Sequence, residues 1–64
     1  MSIKITMAAA RVNAGLKQKE AAKKIGVTVT TIRNWEKGTT SPKYKQKEAI
    51  ESAYSIPLDN IKFF

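Results

Sequence analysis

The stretch Gln18 to Gly38, QKEAAKKIGVTVTTIRNWEKG, constrains the fold more than any other part of this 64-residue chain. It holds two short amphipathic helical patterns separated by a break at Gly26. In the first, roughly Gln18 to Ile25, Ala21, Ala22 and Ile25 share one face, and Lys19, Glu20, Lys23 and Lys24 cover the other. Small alanines on the buried face let another helix approach closely. Gly26 follows as the helix stop, where φ is often positive. In the second, roughly Val29 to Lys37, Thr28 is placed as N-cap and Gly38 as the stop. At about 100° per residue, Ile32 and Trp35 fall on one side. Val29, Thr30, Arg33, Asn34 and Lys37 occupy an arc of about 140° on the other.

Two helices joined by a tight turn, with a polar face on the second, is the layout of a helix-turn-helix. That motif lays its second helix in the DNA major groove. The residue types suit the task. Arg pairs with guanine O6 and N7, Asn with adenine N6 and N7, and Val or a Thr methyl packs on a thymine methyl. A helix needing only solubility would more often carry Glu/Lys pairs there.

The rest of the chain reads as three further short helical segments, with no strand. Segment one runs from about Ile3 to Asn13, with Ser2 as a candidate N-cap and Gly15 just past its end. Two stripes compete for its core face: Ile3, Met7, Ala10 and Ala14, or Ile5, Ala8, Ala9 and Val12. After a loop over Thr39 to Pro42, Ser41 and Pro42 suggest an N-cap and first helical residue. A fourth helix then runs to about Tyr54, burying Ile50, Ala53 and Tyr54. A fifth starts near Pro57 and buries Leu58 and Ile61. Phe63 and Phe64 either close the core, pack in a dimer seam or mark where a larger protein continues.

Composition narrows the function classes. Twelve basic residues against five acidic ones give a net charge of +7, which draws a small domain to polyanions. Neither Cys nor His is present, which removes disulfides, thiol nucleophiles and the usual zinc sets, and fits a cytoplasmic protein. No apolar run approaches the roughly 18 residues of a membrane span, and no signal peptide is visible. Glu48 and Glu51 are a carboxylate pair on a Lys-rich helix with no partner chemistry, so catalysis and a cofactor are not expected.

Phosphate contacts are expected from Gln18, whose amide and helix-start N–H groups face an anion. Thr40, Lys43 and Lys45 form a second candidate clamp after the recognition helix. Lys19, Lys23 and Lys24 add only long-range attraction. Arg11 and Glu36, both beside apolar positions, are the expected ion pair between segments one and three. Trp35, Tyr44 and Tyr54 are expected to pack inside rather than stack on single strands.

The span Leu16 to Pro42 resembles the phage repressor and Cro-like helix-turn-helix family, the XRE-type regulators. The residues that carry the likeness are Gly15-Leu16, Gln18, Glu20, Ala22, Ile25-Gly26-Val27, Thr31-Ile32 and Trp35-Glu36-Lys37-Gly38, then Pro42. Arg11 lies where the family commonly has the Arg that pairs with the Glu of that ending. Ile3, Met7, Ala10 and Arg11 look like its first helix, which tips the competing stripes toward the first. The resemblance implies an all-α, compact five-helix domain of lambda-repressor-like type spanning 1–64. It implies a homodimer on a near-palindromic double-stranded operator, with Gln18 on phosphate, Thr28 capping beside the backbone, and Val29, Thr30, Arg33 and Asn34 facing bases. Two departures stand out. Ala21 replaces the usual Leu, and Val29 leads the base-facing positions where a polar residue is frequent, favouring methyl contact. The competing classes are an antitoxin-type protein-interaction module and a cationic membrane-surface protein.

Overall fold

A computed structural model describes residues 4–63, so the roles expected of Ser2, Ile3 and Phe64 lie outside the described residues. In chain order it comprises β1 (Ile5–Thr6), α1 (Met7–Asn13), α2 (Gln18–Ile25), α3 (Val29–Lys37), α4 (Tyr44–Tyr54), a 3-10 turn (Leu58–Asn60) and β2 (Ile61–Lys62).

Local chemistry sets most of these bounds. The Thr28 hydroxyl accepts the Thr31 N–H at 3.2 Å and opens α3. The Lys17 N–H donates to the Glu20 carboxylate at 2.8 Å at the start of α2. Gly26 at φ 88° ends α2, and the Gly26 and Val27 N–H groups both donate to the Ala22 carbonyl, at 2.8 and 2.9 Å. Val27 thereby packs against the core as the chain turns. Gly38 closes α3 in the same left-handed conformation.

Four expectations are corrected. Segment one is shorter than expected: Ile5–Thr6 is extended, and the Thr6 hydroxyl caps α1 by accepting the Ala9 N–H at 3.1 Å. A strand does exist, because β1 pairs in parallel with β2, Ile5 opposite Ile61 and Thr6 opposite Lys62. The fifth helix is a single 3-10 turn, leaving four α-helices among the described residues. Its opening Leu58 N–H is held by the Glu51 carboxylate at 3.0 Å, and Ile61 then enters the sheet. Finally, α4 begins at Tyr44, not at Pro42. The Gln46 amide takes the Lys43 N–H at 2.7 Å, while the Ser41 hydroxyl donates to the Phe63 carbonyl at 2.9 Å.

The core is one cluster: Met7, Ala10, Ala21, Ala22, Ile32, Trp35, Ile50, Tyr54 and Ile61. Met7 and Ala10 are buried whereas Val12 is 62% exposed, so the first of the two competing stripes faces inward at these two positions. Its last member, Ala14, is exposed past the end of α1, and Ile5 of the other stripe packs partly on the core from β1. Ala21 is fully enclosed in the same cluster as Trp35. Phe63 packs on the core's edge with the Lys47 ammonium 4.9 Å from its ring centre, and so closes the core of its own chain. Tyr54 is buried as expected of a packing residue, but Tyr44 is 72% exposed. Its position explains this, since the wheel puts it about 100° from the Ile50–Tyr54 stripe.

Candidate nucleic-acid interface

Burial divides α3 along the wheel. Ile32 and Trp35 are buried against α1, α2 and α4. Thr30, Arg33 and Lys37 are exposed and form the centre of the outward arc. Val29 and Asn34 stand at its two flanks and are half-buried, and Val29 packs partly on the core. Val29 therefore offers less free surface than a leading contact position implies.

Beyond α3 the chain stays attached to it. The Thr39 N–H donates to the Asn34 carbonyl at 3.0 Å, and the Thr40 N–H reaches the same oxygen at 3.5 Å. Thr40, Lys43 and Lys45 are all exposed. Tyr44, between the two lysines, joins them on the surface, a placement its wheel angle could have indicated. Thr28 is exposed at the other end of α3, its hydroxyl oxygen 2.9 Å from that of Thr31.

Beneath this face lies a polar network. Arg11 Nε meets Glu36 Oε2 at 2.7 Å, with both side chains largely enclosed, at 14% and 10% exposure. Arg11 Nη2 also donates to Glu36 Oε1 at 3.4 Å, and Nη1 to the Leu16 carbonyl at 2.9 Å. The guanidinium thus ties α1, the loop before α2, and α3 together. Gln18 Nε2 donates to Glu36 Oε1 at 3.1 Å, and Arg33 Nε donates to Gln18 Oε1 at 3.3 Å. The side chain expected to face a phosphate is therefore engaged within the protein on both of its polar atoms.

Tyr54 approaches the network from α4. Its hydroxyl is buried without a hydrogen-bond partner. Burial pushes its pKa up to about 12; the Glu36 charge adds to the rise and Arg11 opposes it.

The Helix-turn-helix family pattern matches residues 7–61. The chain belongs to the helix-turn-helix family of phage-repressor and XRE type. It is 42% identical over 48 residues to the Cryptic phage CTXphi transcriptional repressor RstR of Vibrio cholerae, an alignment covering 75% of this chain and 43% of that protein. The chain thus spans less than half the length of this curated relative. No solved structure matches it.

Among the described residues there is no cluster of metal-ligating side chains, and no helix is long and apolar enough to cross a membrane. Two surface hollows of about 330 and 400 Å³ share Lys24 and Ala53, and neither is lined by a carboxylate. Glu51, one of the paired carboxylates, is occupied in capping the 3-10 turn.

Proposed function

We propose that this protein is a sequence-specific double-stranded DNA-binding transcription regulator without enzymatic activity, a phage or prophage repressor of Cro-like kind. On this reading residues 1–64 act as one lambda-repressor-like domain in the cytoplasm. A homodimer binds a near-palindromic operator. The observation that carries the reading is the exposed centre of α3, where Thr30, Arg33 and Lys37 project away from a core that holds Ile32 and Trp35.

The division of labour follows from what each group offers. Arg33 supplies a fork for guanine, Asn34 an amide for adenine, Thr30 methyl contact at the centre of the arc and Val29 methyl contact at its flank. Lys37, Thr40, Lys43 and Lys45 hold phosphates and set register. The first-turn N–H groups of α2 at Gln18, which have no intrahelical partners, face another phosphate. Thr28 caps α3 and lies beside the backbone. The Arg11–Glu36 pair sets the angle at which α3 is presented and does not touch DNA.

Salt titration tests the electrostatic part. If about six phosphates are neutralised, log K against log salt falls with a slope near −5. A slope near zero overturns this reading.

A further inference from the structure

We propose that the Gln18 side chain is a positioning residue that aims Arg33 at a guanine, linking the enclosed Arg11–Glu36 pair to the base-reading face. The inference rests on the DNA-reading function above and assigns one side chain within it.

The chemistry of Glu36 starts the chain of constraints. A carboxylate only accepts hydrogen bonds, so the side of the Gln18 amide turned to it must be the NH2 group. That places Gln18 Nε2 at 3.1 Å from Glu36 Oε1. Glu36 cannot turn away, because Arg11 holds its other oxygen at 2.7 Å. The amide is then oriented with Oε1 outward, and an outward carbonyl oxygen repels a phosphate but attracts a guanidinium. Arg33 Nε fills that place at 3.3 Å.

The atom that Arg33 commits is the important detail. Using Nε leaves both Nη groups free at the far end of the planar fork, and these make the bidentate contact with guanine O6 and N7. Arg33 is exposed in the centre of the outward arc, where an unanchored side chain would sample many rotamers. Gln18 limits that freedom before DNA arrives. Helix α2 thereby contributes to base readout through α3 without touching a base.

The test is a double-mutant cycle on DNA. Selection from a random duplex pool with wild type and with Arg33→Ala locates the guanine whose preference Arg33 supplies. Binding is then measured for Gln18→Ala on the selected duplex, on one with that base pair changed, and on unrelated duplex. The expected result is a loss of about three- to tenfold confined to the guanine-bearing duplex, with little further loss once Arg33 is Ala. Gln18→Met, which keeps the stem's packing, gives the same pattern. Equal losses on all duplexes identify Gln18 as a phosphate anchor and overturn the proposal, as does full additivity with Arg33→Ala. If Arg33→Ala alters no guanine preference, the proposal also fails. A wild-type protein with no duplex preference overturns the DNA reading itself and this inference with it.

Discussion

The α2–turn–α3 unit and the terminal seam are held together in different ways. The unit is built from neighbours: Thr28 caps with Thr31, Gly26 folds back on Ala22, and Ile32 and Trp35 close over Ala21 and Ala22. The seam joins segments far apart in sequence, through β1 against β2 and Ser41 against Phe63. The first arrangement leaves Thr30, Arg33 and Lys37 of α3 exposed over a packed core. The second prevents the edges of a small core from opening. A chain of this size buries only roughly 60% of its unfolded surface, so both are needed.

Cavity mutations should separate the two regions most. Ile32 is fully enclosed where α3 meets the core. Ile32→Ala should destabilise by about 3–4 kcal/mol in chemical denaturation, whereas Ile61→Ala should cost about 2, because a two-residue strand can settle into the space more readily than a helix packed on the core. Equal losses would erase the distinction.

Glu36→Gln sharpens the comparison within the unit. It leaves the Arg11 charge largely enclosed without its counter-charge and should cost about 2 kcal/mol, short of the figure for fully buried pairs because both groups keep some solvent contact. A change below about 0.5 kcal/mol would show that the pair does not lock α1 to α3.

Tyr54 stands where α4 meets that pair, and its raised pKa fixes a pH window. In the unfolded chain the phenol ionises near pH 10, while in the folded protein it keeps its proton to about 12. The folded state binds more protons between these values, so stability falls as pH rises through the window. Tyr54→Phe should remove this tyrosine's part of the slope. At neutral pH it should leave stability unchanged or slightly higher, since the hydroxyl has no partner to lose. An unchanged alkaline slope would contradict the assignment.

The smallest effect belongs to the helix ends. Three of the left-handed residues are glycines, and Ser55 at φ 53° is the non-glycine among the described residues. Ser55→Gly should stabilise by about 0.5–1 kcal/mol if relief of left-handed strain exceeds the added freedom of the unfolded chain. A rise in Tm would show it; a fall would mean that the added freedom of the unfolded chain outweighs the strain relieved.

Legibility in the sequence follows the same division. The bounds of α2 and α3 could be read because Gly26, Thr28 and Gly38 each act within a few residues. Trp35 and the Arg11–Glu36 approach were readable from helical phase and from the family likeness. The pairing of Ile5 with Ile61 was not, because neither segment carries a strand pattern and each becomes extended only by meeting the other. Ser41 looked like a helix cap locally, but its hydroxyl serves the far terminus. Tyr44 is exposed because its helical phase, not its aromatic ring, decides the face it joins. Among the outward residues, identity was readable but orientation was not. Nothing in the sequence tells that Gln18 turns its amide inward to Glu36.

The most direct test of the central claim, that the outward face of α3 reads duplex DNA, is selection from a random duplex pool by the wild type and by Asn34→Ala. The account predicts a near-palindromic motif for the wild type. With Asn34→Ala it predicts loss of preference at one position in each half-site, with non-specific binding little changed. No enriched motif, or equal weakening on every sequence, would contradict it.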